Sequence, residues 1–472
     1  MSAFGRTFGA PDKARPRSVT MQPGTLLTLE IEKPAAGGRM LARHHGQIVL
    51  VWGAIPGERV SARVERAAKG VIYADTAQVL SASPDRRADA GDWRCGGNVF
   101  AFIDYPRQLQ LKGQIVQDAL ARIGRVPLAA PPEVIGSPEH GYRMRARLHA
   151  GNGRLGFYRE GTHVLCAAAP TRQLADATNA WLARVEELLA RHSLAGLAAL
   201  ELSENISGDE RACHVELHAR VDASAYTTLA DGLTGLSAAR ADRAGVEVLA
   251  GTPIVVDSLT IPGTPEGAPY SGQTLKGAAE SAPPVGHPFK GAALRLQRDV
   301  RAFFQGNRFL LESLVRRVAS LVGPGPVVDL YAGVGLFGLS LAAAGTTDVI
   351  VVEGDPVSGE DLKQNAEPFG DRVRVERRSV EQFLALIRDW NHDLSEATVI
   401  VDPPRTGMTR EALAGTIAQR PGRIVYVSCD VATLARDART LIDAGYELGE
   451  LTGVDLFPNT AHVESIALFT RS

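Results

Sequence analysis

Near the C-terminal end of the chain, one cysteine stands in a setting that favours nucleophilic chemistry. Cys429 lies in the tetrapeptide Val427-Ser428-Cys429-Asp430, after an apolar run over residues 423–427 and before a helical stretch that starts at Asp430. A thiol between a strand end and a helix N-terminus lies where the helix dipole favours the thiolate, which is the reactive form. A single cysteine is more often a small buried hydrophobe. The neighbouring motifs, among them Asp402-Pro403-Pro404-Arg405, favour the nucleophile.

A glycine-rich turn further upstream has the pattern of a nucleotide-binding loop. Residues 327–338 contain a buried strand, glycines at 333, 335 and 338, and the start of a helix. Glycine lets the backbone approach a ligand closely and adopt positive φ. Glu353 stands twenty residues after Gly333, at the end of the next apolar run, and suits the hydroxyls of a ribose. The spacing Gly333-x-Gly335-x-x-Gly338 also matches the dinucleotide fingerprint, which leaves a nicotinamide-dependent oxidoreductase as an alternative.

Strands and helices alternate through the C-terminal third of the chain. The pattern predicts strands over residues 372–376, 397–402, 423–429, 446–457 and 462–470, and helices over 356–365, 380–390, 410–419 and 431–444. Such alternation indicates a doubly wound, largely parallel sheet, and the short last turn indicates an antiparallel final pair. This α/β pattern resembles the class I, Rossmann-like methyltransferase fold, with Glu353 on the ribose of S-adenosylmethionine. Asp402 and Cys429, at the carboxyl ends of later strands, would open onto the same crevice.

Five motifs in the C-terminal half carry a resemblance to the RNA uracil-5-methyltransferases. They are Phe303-Phe304-Gln305-Gly306-Asn307, Asp329-Leu330-Tyr331-Ala332-Gly333-Val334-Gly335, Asp402-Pro403-Pro404-Arg405, Val427-Ser428-Cys429 and Phe457-Pro458-Asn459-Thr460-Ala461-His462-Val463-Glu464-Ser465. The resemblance implies that Cys429 adds to carbon 6 of uracil and that Glu464 removes the carbon 5 proton. A glutamate in the apolar run 462–469 agrees with a base, because burial would raise its pKa. The alternative for Glu464 is a solvent-facing charge on an edge strand.

The resemblance also implies a set of residues around the methyl donor. The set consists of Gln305, Tyr331, Gly333, Gly335, Glu353 and Asp402. Leu336 and Ser379 depart from the family's pattern, because they stand where relatives often have asparagine. Polar contacts to the donor at these two positions would be fewer or mediated by water. Arg405 either anchors the base or a phosphate, or forms a structural ion pair.

A segment near the N-terminus has a different pattern. Residues 24–87 alternate apolar and polar side chains between regular turn signals, which predicts a small β-barrel. The stretches 38–43 and 51–58 resemble the TRAM domain, an oligonucleotide-binding-like (OB-like) module of RNA-modifying enzymes. Residues 1–87 hold 13 Lys and Arg against 7 Asp and Glu, although the whole chain is formally −2. Because phosphate contacts dominate affinity for nucleic acids, we expect RNA to bind here; a solvated basic surface is the alternative.

These patterns predict four divisions of the chain. Residues 1–23 are a disordered basic tail, 24–87 the TRAM-like barrel, 88–290 a mixed α+β central domain for RNA recognition, and 291–472 the methyltransferase domain. A stretch rich in Gly, Pro and Ser over 264–290 indicates a linker or long loop within the central division. The fold class is therefore α/β, with two further domains beside the methyltransferase domain.

The cysteines bear on one cofactor. One branch of the resembled family holds a four-iron cluster with four cysteines, and this chain keeps the counterparts Cys95 and Cys166. Asp89 and Asn98 occupy the other two positions, so we expect no iron–sulfur cluster and no metal. We expect Cys95 and Cys166 to lie close together without a disulfide, because the cytosol is reducing.

Length and composition complete the sequence-based hypothesis. At 472 residues and 45% hydrophobic content the chain can bury several cores, and no apolar run approaches the length of a membrane span. We expect a cytoplasmic monomer that binds RNA and no membrane. Relatives with the barrel tend to act on large-subunit ribosomal RNA, which favours 23S rRNA over tRNA as substrate. A non-catalytic RNA-binding scaffold is the remaining alternative.

Overall fold

The computed structural model describes residues 21–88, 91–261, 292–387 and 394–471. The predicted tail lies largely outside these ranges, as do the predicted linker, Asp89 and the last residues of the helix predicted over 380–390. Two compact units are present. Of the described residues, the first unit holds those up to Ala35 together with Arg39–Pro84, and the second holds Ala36–Gly38 with those from Asp85 onward.

The first unit is a closed barrel of five strands in the order β1-β2-β3-β5-β4. Its strands are β1 (Leu26–Pro34), β2 (Met40–His44), β3 (Gln47–Trp52), β4 (Arg59–Ala68) and β5 (Val71–Ser81). Buried and exposed residues alternate along β1, as period-two strands require when one face fills a barrel. On the outside, the guanidinium of Arg66 lies 3.7 Å from the ring centre of Tyr73. The predicted barrel is confirmed.

In the second unit, a seven-stranded sheet of order β13-β12-β11-β10-β7-β8-β9 packs against a helix. The elements from its N-terminal end are α1 (Tyr105–Ala119), β6 (Val134–Ile135), β7 (Arg145–Gly151), β8 (Arg154–Tyr158), β9 (Leu165–Ala167), α2 (Asp176–Arg191), β10 (Leu197–Glu204), β11 (Arg211–Leu217), β12 (Gly235–Arg240), β13 (Arg243–Gly251), β14 (Ile254–Ile261) and β15 (Ala292–Asp299). Trp181, Leu182 and Val185 on α2 are buried in the same core as the sheet. This part has mixed α+β character, as predicted.

The rest of the second unit is an eight-stranded sheet of order β18-β17-β16-β19-β20-β22-β21-β6. Its further elements are α3 (Leu311–Leu321), β16 (Val327–Leu330), α4 (Leu336–Ala343), β17 (Val349–Val352), α5 (Pro356–Ala366), β18 (Val373–Glu376), α6 (Val380–Ile387), β19 (Thr398–Val401), α7 (Arg410–Ala418), β20 (Arg423–Ser428), α8 (Val431–Asp443), β21 (Glu447–Val454) and β22 (Glu464–Thr470). Every residue of β16 and β19 is buried, as expected for parallel strands covered on both faces.

The strand pairing confirms the predicted sheet and adds a strand. Strands β18, β17, β16, β19 and β20 are parallel to one another, whereas β22 is antiparallel to both β20 and β21. The short strand β6, from the predicted central division, extends the sheet beside β21. A two-residue strand has no periodicity to detect, which is why the sequence did not reveal it.

The predicted division near residue 290 is not tested by these contacts and stays a prediction. Strand β14, before that point, pairs along its whole length with β15, after it. Within the described ranges, no helix is both long and apolar enough to cross a membrane.

Candidate active site

Strand register brings the predicted nucleophile and base together. In the antiparallel pairing of β20 and β22, Ser428 lies opposite Ser465. The next residue on each side, Cys429 and Glu464, therefore stand side by side at the end of the two strands. Asp430 then caps helix α8, because its carboxylate accepts hydrogen bonds from the backbone N–H groups of Ala432 and Thr433.

The pKa of the Cys429 thiol differs from the sequence-based expectation. Burial, which is the largest effect, and the carboxyl groups of Glu464 and Asp402 together raise it to about 12, although Arg405 opposes the rise. The expectation that the helix dipole would favour the thiolate is wrong for the free protein. A dipole worth about 0.3–1 kcal/mol at an exposed helix end is outweighed by desolvation and two nearby acids.

Glu464 is buried, with 2% of its surface exposed. Burial raises its pKa well above the usual value, Asp402 adds to that rise, and Arg405 opposes it. This confirms the expected direction of the pKa shift. Among the described residues, no group forms a hydrogen bond with its Oε1 atom. The orientation of the carboxyl group is therefore set by the position of the backbone and not by a hydrogen bond to Oε1.

The glycine turn after β16 lies at the same edge of the sheet. Tyr331, Gly333 and Gly335 all have positive φ, at 63°, 59° and 102°. A Cβ on Gly335 would lie 2.4 Å from a methyl carbon of Leu339, so glycine is required there. A Cβ on Gly333 would meet only the Phe303 carbonyl oxygen, at 3.9 Å. The loop therefore has an open side on which its backbone can approach a ligand.

Glu353, at the end of β17, is tied to this turn. Its Oε2 accepts a hydrogen bond from Gly333 N at 2.8 Å, and its Oε1 accepts one from Asp355 N at 2.6 Å. Each carboxylate oxygen has a second lone pair that these bonds leave free. Burial, the largest effect, raises the pKa of Glu353. The carboxylate is thus held in place and still able to accept two hydroxyl groups.

Asp402 and Asp329 complete the acidic lining of this edge. Gln305 Nε2 donates to Asp402 Oδ2 at 3.1 Å, and burial raises the pKa of Asp402 to about 7. Asp329, on β16, accepts from Gly338 N at 2.8 Å, and burial raises its pKa to about 8. Asp329 was not among the predicted site residues, although its place just before the glycine turn was a usable signal.

Three further positions can now be placed. Leu336, the first residue of α4, is 5% exposed and belongs to the hydrophobic core. Ser379 caps α6. Its hydroxyl accepts a hydrogen bond from Gln382 N, and its own backbone N–H donates to Gln382 Oε1. In the described part of the chain, Arg405 forms no ion pair or side-chain hydrogen bond. This removes the ion-pair alternative for Arg405 within those residues.

The two family-matched cysteines form a disulfide, which corrects the expectation that they would lie close together without one. Cys95 and Cys166 are bonded, with their Cα atoms 5.8 Å apart. The pairing of β8 with β9 and a bridge between Cys95 and Arg159 bring the two backbones within disulfide range. Among the residues that the structure covers, no group of three or more His, Cys, Asp or Glu is arranged to hold a metal ion.

Sequence reasoning also missed a buried polar cluster behind the base. Lys112 and Asp455 are both fully buried and form an ion pair. Gln108 is fully buried as well and bonds with Asn459. The two partners in each case are separated by more than 340 residues. Residues 108 and 112 are one turn apart on the observed helix α1, but their partners cannot be read from the chain.

A nucleoside-type loop, an acid at the end of the second strand and an antiparallel last strand define a class I methyltransferase fold. Residues 296–472 match the tRNA (Uracil-5-)-methyltransferase family, and residues 21–76 match the TRAM domain. The structure is similar to Pyrococcus abyssi tRNA (uracil-54, C5)-methyltransferase, solved with S-adenosyl-L-homocysteine, at a TM-score of 0.69 and 22% identity over 94% of this chain and 99% of that one.

Full-length relatives give the family directly. The chain is 32% identical to the 23S rRNA (uracil(1939)-C(5))-methyltransferase RlmD of Azoarcus sp. (strain BH72), over 94% of this chain and 99% of the relative. It is 31% identical to an uncharacterized RNA methyltransferase of Gloeobacter violaceus, over 96% and 99%. The chain belongs to the RNA uracil-5-methyltransferase family. That membership removes the basis for the nicotinamide-dependent alternative.

Proposed function

We propose that this protein methylates carbon 5 of uridine in structured RNA through a covalent bond between Cys429 and carbon 6 of the base. The observation that carries the proposal is the register of β20 and β22, which sets Cys429 beside Glu464. Both residues lie at the same edge of the sheet as the glycine turn. A nucleophile, a base and a nucleoside-binding loop thus share one crevice.

The residues around the glycine turn fit S-adenosylmethionine. Glu353 keeps free lone pairs for the two ribose hydroxyls, and the open side of Gly333 lets the backbone approach the donor. Asp402, held by Gln305, borders the path from the donor to Cys429. We assign Gln305, Tyr331, Gly333, Gly335, Glu353 and Asp402 to the donor site.

The two reacting residues divide the chemistry. The Cys429 thiolate bonds to carbon 6 of uracil, and the electrons of the carbon 5–carbon 6 double bond move into an enolate. S-adenosylmethionine, when bound, supplies a methyl group to carbon 5, and its sulfonium becomes a neutral thioether. Glu464 then takes the carbon 5 proton, the double bond forms again, and the thiolate leaves. Covalent catalysis replaces one difficult step with two easier ones.

The charges of the site suit this sequence of events. A base with a raised pKa holds the abstracted proton more firmly than an exposed carboxylate would. A thiol with a pKa of about 12 needs local positive charge to ionise. Arg405 is the side chain that lowers the pKa of both Cys429 and Glu464, and it is exposed. We propose that Arg405 supports the thiolate and contacts the RNA.

The substrate that we propose is 23S ribosomal RNA. The support is that full-length relatives at 32% and 30% identity carry that substrate in their names, whereas the tRNA enzyme is similar at 22%. The barrel, with its basic strands, would grip the RNA backbone. We expect the protein to act in the cytoplasm as a monomer, which should elute from a sizing column near its chain mass of 50.2 kDa.

Methyl transfer to separated RNA pools tests the proposal. The purified protein is incubated with labelled S-adenosylmethionine and with ribosomal or transfer RNA from cells that lack its gene, and the nucleosides are analysed by mass spectrometry. We expect 5-methyluridine in the ribosomal pool. The same product in the transfer RNA pool alone would reject the substrate but keep the reaction. No 5-methyluridine in either pool, despite RNA binding, would favour a non-catalytic scaffold.

A further inference from the structure

We infer that Gln108, on helix α1, positions Glu464 for proton removal by clamping the loop that leads into β22. The inference rests on the proposed function, because it assumes that Glu464 is the base. Gln108 acts through the loop and not on the uracil, so it is a positioning residue. Removal of the carbon 5 proton would then depend on a residue more than 300 positions before Asn459 in the sequence.

The clamp is a reciprocal pair of hydrogen bonds. Gln108 Nε2 donates to Asn459 Oδ1 at 2.9 Å, and Gln108 Oε1 accepts from Asn459 N at 2.9 Å. The same Nε2 lies within 3.2 Å of the carbonyl oxygens of Phe100 and Ile103, which fix the amide's orientation. Phe100 N donates to Asn459 O at 2.8 Å. The backbone N–H, the carbonyl and the side chain of Asn459 are therefore all held from residues 100–108.

Helix α1 holds the same loop at a second point. Lys112, one turn after Gln108, forms a buried ion pair with Asp455 and donates to the carbonyl oxygen of Phe457 at 3.0 Å. Tyr105 donates to the other carboxylate oxygen of Asp455 at 3.0 Å. Because buried charges are costly to separate, this pair fixes the start of the loop while Gln108 fixes its middle.

After Asn459, hydrogen bonds within the loop continue as far as His462, two residues before the base. Asn459 has φ +63°, which turns the loop toward β22. The Thr460 hydroxyl donates to Phe457 O at 2.7 Å and accepts from His462 N at 3.1 Å. Strand β22 begins two residues later, at Glu464. No described group forms a hydrogen bond with Glu464 Oε1. The direction of its carboxyl group therefore depends on how this loop positions the first residue of β22.

This geometry predicts a step-specific defect. Cys429 lies between β20 and α8. None of the bonds described above joins Gln108 to either element, so thiol addition should survive loss of the clamp. Removal of the carbon 5 proton should slow, because misplacing a catalytic group by about 1 Å can cost up to about 10²-fold. The covalent RNA adduct should then accumulate. A merely structural role would reduce adduct and product together.

The experiment uses the full chain, S-adenosylmethionine and total RNA from cells that lack its gene. Single-turnover formation of 5-methyluridine and the fraction of protein trapped on RNA in denaturing gels are measured side by side. The test variants are Gln108→Ala and Asn459→Gly, the latter keeping a residue that tolerates positive φ. Gln110→Ala, exposed on the same helix, and Thr178→Val, which removes a buried hydroxyl bond to Glu204, are the controls.

We expect the two test variants to lose turnover by 10- to 100-fold and to trap RNA as Glu464→Gln does, whereas neither control traps RNA. If Gln108→Ala does not fold, Asn459→Gly alone must show the trap. Trapping by Glu464→Gln but by neither test variant would overturn the role of Gln108. Absence of trapping in Glu464→Gln itself, with normal turnover, would overturn the proposed mechanism instead.

Discussion

The two ends of the active-site crevice are built in different ways. At the end that we assign to the methyl donor, Glu353 is bonded through both carboxylate oxygens, and Asp402 and Asp329 each accept a hydrogen bond. At the reaction end, the described residues leave Glu464 Oε1 without a partner. Cys429 lies next to it with a raised pKa. The side chains of the first end are held by hydrogen bonds to their own carboxylates. Those of the second end are held through strands β20 and β22 and the loop that precedes β22.

The difference follows from what each end must do. A donor site gains from fixed side chains, because each immobile acceptor costs nothing further to order on binding. We propose that the reaction end must take up and release protons. Each hydrogen bond to the charged form of a carboxyl group lowers its pKa and makes it a weaker base. Burial, with the nearby Asp402, raises the pKa of Glu464 well above its usual value. On the role that we propose for Gln108, the cost is that the position of Glu464 depends on residues as distant as Gln108 and Lys112.

The largest expected effect is at the reaction end. Cys429→Ala should lower turnover on the order of 10⁴-fold or more, because it removes the covalent step, while donor binding stays unchanged. Single-turnover methylation and calorimetric titration with S-adenosylmethionine measure the two quantities. Cys213→Ala, which changes a buried cysteine of the central sheet, is the matched control. Weakened donor binding in Cys429→Ala would mean that the two ends are not separable.

The donor end should respond in the opposite way. Glu353→Gln should weaken S-adenosylmethionine binding roughly 10- to 100-fold, since hydrogen bonds to a charged acceptor are worth about 1.5–3 kcal/mol. Saturating donor should restore most of the turnover. Glu360→Gln, on the exposed side of α5 where Glu360 pairs with Arg377, should bind the donor normally. A loss of turnover in Glu353→Gln that donor excess cannot restore would contradict the assigned role.

A smaller effect should appear in stability. Burial raises the pKa of Asp329 from 3.8 to about 8, so between these values the folded state keeps a proton that the unfolded state has lost. The associated stability is present below pH 3.8 and falls as the pH rises toward 8, by about 1.4 kcal/mol per pH unit.

Asp329→Asn should remove this dependence, because the amide oxygen can still accept from Gly338 N. Urea unfolding of both proteins at pH 5.5 and 7.5 checks this prediction. The free energy of unfolding of the variant, relative to the original protein, should rise between the two pH values. A difference that stays constant would show that Asp329 is ionised in the folded state.

Much of the methyltransferase fold could be predicted from sequence because its signals are local. The parallel strands are short apolar runs, and observed helices α5 and α7 begin at the predicted residues Pro356 and Arg410. The cofactor turn was found through glycines whose positive φ is a property of the residue itself. The pairing of Cys429 with Glu464 followed from motifs of a known family, and the register of β20 and β22 places them together.

What sequence could not give depends on distant partners. The pKa of Cys429 was misjudged, because the helix N-terminus is adjacent in sequence whereas Asp402 and Glu464 approach through the fold. The Cys95–Cys166 disulfide was missed, because the expectation came from the redox state of a compartment and not from backbone positions. Gln108 gave no sign of its bond to Asn459, 351 positions away.

The central claim is that Cys429 and Glu464 act in succession on one uracil. The most direct test is to incubate Glu464→Gln with S-adenosylmethionine and total RNA from cells that lack the gene, digest the product, and sequence the peptides by mass spectrometry. We predict a peptide in which Cys429 carries a uridine nucleotide with one added methyl group. Normal yields of 5-methyluridine with no nucleotide on Cys429 would contradict it.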